Sequence, residues 1–375
     1  MAREYQIFIK PVGPACNLRC GYCYYNPASP PVSGGPGGWI MDDLVLGTFI
    51  RQNIEAAGEG PVYFAWHGGE PTLAGVGFYR RAVELQNKHR QGGTGIINGI
   101  QTNGTLLNRE WCRFLADAGF NVGISLDGPA NLHNAARVFP SGRGSFEKAS
   151  QGFIMLKEYG LNPEILCVVS AINVPYPLEV YRFFREMGAT WMTFLPLVIR
   201  DDSHAGRVLP PTVASRQFGE FLCRVFDEWI ENDIGRIKVQ VIEEATRVAF
   251  SLEHTLCIFK RECGGVPVVE RNGDFYSCDH YVNGDYNLGN IQKTPLADLL
   301  DSERQRAFGA AKRKTLPRYC LECEVIDMCN GECPKNRFIR TPDGESGLNW
   351  LCEGYRMFFN HCRPFVDAVR AAGNR

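Results

Sequence analysis

Three thiols stand close together near the amino end, in Cys16-Asn17-Leu18-Arg19-Cys20-Gly21-Tyr22-Cys23, with the spacing C-x3-C-x2-C. Three thiolates on one loop can hold three irons of a four-iron cubane, which leaves the fourth iron open to an exogenous chelate. A zinc site is the rival, but structural zinc asks for four ligands in tetrahedral geometry, and this loop offers three. Eight more cysteines come late, as Cys257-x5-Cys263-x14-Cys278 and Cys320-x2-Cys323-x5-Cys329-x3-Cys333-x18-Cys352. Eight thiolates fill two complete four-iron clusters, which suit electron transfer or structure better than an open reaction site. Two four-thiolate zinc sites fit the same spacing. The remaining Cys112, Cys167, Cys223 and Cys362 fall among apolar neighbours and read as core.

Polar residues of a second kind end the predicted strands. His67-Gly68-Gly69-Glu70-Pro71 follows one of them, and glycine lets a ligand approach the backbone closely. Taken alone the same five residues also spell a tight strand-to-helix turn. Ser125-Leu126-Asp127-Gly128-Pro129 ends another strand, with Arg137 a short loop later; an arginine fork suits a bidentate carboxylate. Without the cysteines these two would read as a turn serine and a solvated arginine. Asp279 directly follows Cys278, where a carboxylate could accept a proton while a cluster accepts an electron; a turn or capping aspartate is the bland alternative.

The elements that must position these groups follow from periodicity. Strands are predicted over Tyr5 to Lys10, Val62 to His67, Ile96 to Gln101, Asn121 to Asp127, Ile165 to Ser170 and Trp191 to Val198. Helices are predicted over Asp43 to Ala57, Phe78 to His89, Arg109 to Ala118, Phe146 to Tyr159, Leu178 to Met187 and Val213 to Asn232. Six strand-then-helix units imply a parallel sheet with right-handed crossovers, two units short of a closed barrel, so the expected fold class is α/β, a partial (β/α)6 barrel. Chemistry in such folds sits at the C-terminal ends of the strands. Beyond about residue 240 the pattern breaks down, apart from a hairpin over Val266 to Asn272 and Phe275 to Ser277 around Gly273-Asp274. Cysteines are dense and periodicity weak from Cys320 to Cys352, as in a domain organised by metal. The expected domains are therefore 1–240, the barrel, and 241–375, the cysteine-rich part. Pro27 to Gly38 reads as an exposed loop, and no fixed-period repeat is found.

Composition narrows the partners. With 40 basic and 41 acidic residues the formal net charge is -1, so no broad field is available to hold nucleic acid or an anionic membrane. No apolar run reaches the roughly 18 residues of a membrane span, and the N-terminus lacks a signal-like pattern. A cytosolic protein is expected. There, fifteen cysteines serve metals, catalysis or the core more often than disulfides.

The early cysteine loop, placed just after the first strand, resembles that of the radical S-adenosylmethionine superfamily, whose open iron is chelated by the cofactor's amino and carboxylate groups. The resemblance implies that Cys16, Cys20 and Cys23 hold that cluster and that Tyr22 lies beside the adenine. It further implies that the backbone of Gly68, Gly69 and Glu70 meets the amino group, that Ser125 touches ribose or carboxylate, and that Arg137 pairs with the carboxylate. Gln101, Asn103 and Val198 are weaker candidates for cofactor or substrate contact. The late cysteines resemble the SPASM auxiliary-cluster domain, in which Cys257, Cys263, Cys278 and Cys333 would hold one cluster and Cys320, Cys323, Cys329 and Cys352 another. Three 4Fe-4S clusters and S-adenosyl-L-methionine are the cofactors so implied.

From Ile9-Lys10-Pro11 to the last cysteines the chain resembles the anaerobic sulfatase-maturating enzymes. The echoes are Gln101-Thr102-Asn103-Gly104-Thr105, Ile165-Leu166-Cys167-Val168-Val169, Ser277-Cys278-Asp279-His280 and Leu288-Gly289-Asn290-Ile291. The resemblance implies oxidation of a sulfatase cysteine or serine to formylglycine, with Asp279 as catalytic base and Tyr25 near the substrate. It also implies a sulfatase polypeptide or peptide as one partner and a flavodoxin- or ferredoxin-type electron donor as another. Members often carry glutamine where this chain has His67, and histidine there occurs in related peptide-modifying enzymes. A substrate contact and a neutral histidine held at the strand end fit His67 equally. The competing readings are a maturase that crosslinks a ribosomal peptide, and an electron carrier or zinc scaffold without turnover.

Overall fold

All six predicted parallel strands form in the computed structural model, which describes residues 5–25, 39–58, 60–90, 92–93 and 95–373. The expected loop at 27–38 lies outside the described residues. In chain order the strands are β1 (Phe8–Lys10), β2 (Val62–Trp66), β3 (Ile96–Thr102), β4 (Asn121–Ser125), β5 (Glu164–Val169), β6 (Trp191–Pro196), β7 (Lys238–Val239), β8 (Val268–Glu270), β9 (Asp274–Tyr276) and β10 (Asn287–Asn290). The six predicted helices are present within a few residues, as Asp43–Ala57, Gly75–His89, Arg109–Asp117, Phe146–Glu158, Pro177–Glu186 and Ser215–Asn232.

One compact unit comprises Met1–Ser125, Arg137–Pro163 and Gly264–Gly309. Its strands β1 to β4 pair parallel in sequence order. Asp42 and Asn108 start two of the intervening helices by accepting the N–H of Val45 at 2.8 Å and of Trp111 at 3.0 Å. Rings of Phe64, Trp66, Phe78, Tyr79 and Trp111 meet edge to face or stack between sheet and helices. The predicted hairpin forms as the antiparallel pair β8–β9, with β10 beyond it. Its other edge was not foreseen: β8 pairs parallel with β1, in the register Phe8↔Val268, Ile9↔Val269 and Lys10↔Glu270. The late hairpin thereby becomes part of the same sheet as the first strand, which carries Cys278 and Asp279 to the ends of β1 and β2.

A second compact unit comprises Leu126–Ala136, Glu164–Cys263 and Ala310–Arg375. Strands β5, β6 and β7 pair parallel there, and β7 adds a short strand that the sequence pattern did not announce. Helix Ser215–Asn232 crosses the last helix, Cys352–Gly373, at glycine: a Cβ on Gly354 would lie 2.1 Å from the Ser215 carbonyl oxygen. Only a bare backbone fits that contact, and the Ser215 hydroxyl accepts the Gly354 N–H at 3.0 Å. The crossing fixes the end of the helix that begins at Cys352. Among the described residues no helix is long and apolar enough to cross a membrane.

Candidate active site

The segment that follows β1 turns twice, with the N–H of Gly13 on the Lys10 carbonyl and that of Ala15 on the Val12 carbonyl, and then delivers Cys16. The glycine turn after β2 is lashed to it: Gly69 N–H donates to Gly13 O at 2.9 Å and Glu70 N–H to Ala15 O at 2.8 Å. A Cβ on Gly69 would stand 2.0 Å from the Ala15 oxygen, and Gly68 has φ +119, so neither position takes a side chain without moving the cysteine loop. The Glu70 side chain faces inward. Its carboxylate accepts from the Thr72 N–H and hydroxyl, the Thr102 hydroxyl at 2.7 Å and the Asn103 N–H at 2.7 Å. Glu70 thus ties the end of β2 to the end of β3, while the carbonyls of Gly68 and Gly69 carry no hydrogen bond among the described residues.

The three thiols of the loop are half-buried, and none of them is in a disulfide. Burial, with the Glu70 carboxylate nearby, pushes the Cys16 thiol up to about 12, so it ionises there only against a positive partner such as iron. Cys16 Sγ accepts from the Leu18 N–H at 3.3 Å and from Asn103 Nδ2 at 3.8 Å. Asn103 is further wired to the loop through Asn17, at 2.9 Å, and Asn17 through Thr105, at 2.8 Å. Gln101 Nε2 donates to the Ser125 hydroxyl at 3.1 Å, linking the ends of β3 and β4. The Arg137 guanidinium lies 5.5 Å from the Tyr22 ring centre, and both side chains are buried. Val198 belongs to the other unit, buried after β6, where its carbonyl accepts Lys335 Nζ at 3.5 Å.

Asp279 sits in a cage of charged and aromatic groups. Lys10, completely buried at the end of β1, places Nζ 2.5 Å from Asp279 Oδ1. The Tyr24 hydroxyl donates to Asp279 Oδ2. Lys10 Nζ also lies 3.4 Å from the Tyr25 ring centre, and the Tyr25 hydroxyl donates to Glu270, the register partner of Lys10. Burial works against ionisation of Asp279, yet the Lys10 ammonium beside it holds its carboxyl well below the usual range. His67 stacks on Phe8 at 4.8 Å, its Nδ1 is buried with no hydrogen-bond partner among the described residues, and burial lowers its ring to about 4. It is a neutral imidazole. Sequence reasoning found Asp279, Tyr25 and His67 but missed Lys10, Tyr24, Glu270 and His280. A charged residue closing an otherwise apolar strand, as in Ile7-Phe8-Ile9-Lys10 and Val268-Val269-Glu270, was the available signal.

In the second unit Cys320, Cys323, Cys329 and Cys352 line one cavity, together with Tyr319, Ile326 and Tyr355. Burial raises all four thiols, that of Cys352 to about 12. Between Cys329 and Cys333 the backbone is left-handed at three residues in a row, Asn330 (φ 46), Gly331 (φ 71) and Glu332 (φ 51). Arg337 pins this turn by donating to the carbonyls of Asn330, Gly331 and Glu332 at 2.8 to 3.0 Å, and to that of Lys312 at 2.6 Å. The Glu332 carboxylate accepts from Asn349 at 2.5 Å and Asn336 at 3.1 Å. Cys257, Cys263 and Cys333 are the thiols that act on the charge of the buried Lys312. Cys278, assigned with them by resemblance, lies in the first unit, directly before Asp279.

Comparison with known proteins gives these features a class. The family model of the radical SAM superfamily matches residues 11–182, and that of the SPASM iron-sulfur cluster-binding domain matches 263–324. The molecule is a mixed α/β radical S-adenosylmethionine partial barrel with a C-terminal SPASM domain, a class that uses S-adenosylmethionine and iron-sulfur clusters. A serine-type anaerobic sulfatase-maturating enzyme of Bacteroides thetaiotaomicron is 41% identical, over 98% of this chain and 92% of the relative. A cysteine-type enzyme of Clostridium perfringens is 31% identical, over 96% of each. The solved structure described as native anSMEcpe with bound AdoMet and Cp18Cys peptide superposes with a TM-score of 0.88 at 30% identity, covering 98% of this chain and 99% of that one. The chain belongs to the anaerobic sulfatase-maturating enzymes, which convert a serine or cysteine residue to formylglycine. The donor set fits the cofactors of that family: three thiols outside any disulfide on one loop, two glycine carbonyls beside them that take no hydrogen bond among the described residues, and four thiols around one cavity.

Proposed function

We propose that the chain oxidises a serine in a sulfatase polypeptide, with Asp279 as the group that takes the hydroxyl proton. The observation that carries this is the cage around Asp279, in which Lys10 meets one carboxylate oxygen and Tyr24 the other. The greater identity to the serine-type relative, 41% against 31%, favours a seryl target over a cysteinyl one. Residues 1–240 would carry cofactor cleavage and 241–375 the auxiliary clusters. Cys16, Cys20 and Cys23 would hold the first cluster, and the eight late thiols two more, about twelve irons in all.

Bound S-adenosylmethionine and the cluster beside it supply the radical that removes a hydrogen atom from the substrate β-carbon. What the protein's own side chains do can be derived. Lys10 keeps Asp279 ionised and Tyr24 fixes its orientation, so an acceptor stands ready. A carboxylate held this far down is a weak base toward an ordinary hydroxyl. It takes the proton after the β-hydrogen has gone, when the hydroxyl is far more acidic, and the one electron that remains would leave through the auxiliary clusters, which gives the aldehyde. Gly68, Gly69 and Glu70 offer backbone to the cofactor's amino group, Arg137 a guanidinium to its carboxylate, and Tyr22 an aromatic face to its adenine. Gln101 and Ser125 form a polar pair near the same strand ends, and His67, neutral, presents no charge to a hydroxyl substrate. A flavodoxin- or ferredoxin-type donor would supply the cleaving electron in the cytosol.

The test is anaerobic reconstitution with a sulfatase peptide carrying serine, and the same peptide carrying cysteine, scored by product mass and 5′-deoxyadenosine. Preferential formylglycine from the seryl peptide is expected, and a two-residue crosslink would refute the reading. In Asp279→Asn formylglycine should fall about a hundredfold or more while cofactor cleavage largely persists. Full product at normal rate would remove Asp279 from its role.

A further inference from the structure

Lys312 is the most deeply buried cation of the second unit, with no exposed surface at all. It lies in the last turn of helix Glu303–Lys314, where Arg313 is half-buried and Lys314 exposed. Nζ donates to two backbone carbonyls, those of Cys257 at 2.9 Å and Ile258 at 2.7 Å. Among the described residues no carboxylate pairs with it. An ammonium has three N–H donors, and a buried charge without a counter-ion is strongly destabilising. The groups near Lys312 that would offset its charge once ionised are the thiols of Cys263, Cys257 and Cys333. A second cation, the half-buried Arg337, stands beside it and donates to its carbonyl.

We propose that Lys312 is a tuning residue for the auxiliary cluster whose ligands include Cys257, Cys263 and Cys333, its positive charge raising that cluster's reduction potential. The proposal rests on the reading of the late cysteines as iron ligands. A four-iron cluster with four thiolates carries a charge of about -2 oxidised and -3 reduced, so a cation nearby stabilises the reduced form more. One electron enters the cluster, none enters the lysine, and no proton need move. The consequence is directional. The electron released when the substrate is oxidised finds an acceptor whose potential the protein has raised, which favours its departure from the site. Lys312 touches neither substrate nor cofactor, and it acts through the cluster alone.

The experiment is a redox titration of the full, anaerobically reconstituted chain, followed by electron paramagnetic resonance without S-adenosylmethionine or peptide. Wild type is compared with Lys312→Met, which removes charge and donors, and with Lys312→Gln, which keeps N–H donors for the carbonyls. The expected result is a negative shift of one auxiliary midpoint in both variants, with the cofactor-cleaving cluster unmoved. Unchanged midpoints at full iron content overturn the proposal, since a purely structural lysine would give that result. Should Lys312→Met lose about four irons, Lys312→Gln decides by the same criterion. Wild-type protein with only about four irons would instead defeat the underlying reading of the late cysteines, a failure told apart by the iron count alone.

Discussion

A single carboxylate, Asp279, is divided between an ammonium on one oxygen and a phenol on the other. The division matters because burial alone would have neutralised it, and a protonated acid accepts nothing. His67, near enough for Asp279 to act on it, shows the opposite outcome: burial wins there, and the ring stays neutral down to about pH 4 against 6.5 for a free imidazole. The sign of its contribution follows. As pH falls through 6.5 the unfolded chain takes the proton first, so the folded state loses stability between about pH 6.5 and 4 and loses none above that window. Between pH 7.5 and 5.5, thermal unfolding of His67→Gln should therefore show about 1 kcal/mol less loss than the wild type. Equal losses in both proteins would show that the ring titrates normally.

At the scale of elements, the decisive contacts are those between a strand end and the turn after its neighbour. The glycine turn after β2 holds the cysteine loop after β1 through two backbone hydrogen bonds at 2.8 and 2.9 Å. In Gly69→Ala the new methyl would meet the Ala15 oxygen at 2.0 Å, so the loop must shift. Loss of about four irons is expected while the auxiliary clusters stay, measured by iron analysis and resonance spectra; full iron content would show that the loop tolerates the methyl. Elements with apolar period were legible from sequence, down to helix Asp43–Ala57 at both ends. Helix Glu303–Lys314 was not, because its buried residues are Gln305, Gly309 and Lys312, with Phe308 the one aromatic packed inward, and so little apolar surface leaves no hydrophobic period to read. The hairpin β8–β9 was legible as a local object, since its turn chemistry is local. Its pairing with β1 was not, because a partner more than 250 positions away leaves no trace in spacing. For the same reason Asp279 could be named from its motif, while Lys10 and Glu270, which meet only in the folded sheet, could not.

For the molecule as a whole, two kinds of cohesion operate. The parallel strands and their helices bury rings and aliphatic chains, whereas the stretch around Cys320, Cys329 and Cys333 is held by a left-handed turn, the buried Glu332, the half-buried Arg337, and thiols raised by burial. Removing iron with a chelator should therefore loosen residues 320–352 far more than helix Asp43–Ala57. Amide hydrogen exchange would show it as protection lost in the first segment and kept in the second; uniform loss would mean that the metal stabilises the entire fold. The sheet pairing between β8 and β1 has a further consequence, for biosynthesis. Because Gly264–Gly309 returns to the first unit, that unit lacks one wall until residues more than 250 positions beyond β1 have left the ribosome. Until then Lys10 has neither Glu270 nor Asp279 beside it, and no contiguous amino-terminal piece can rehearse the finished site.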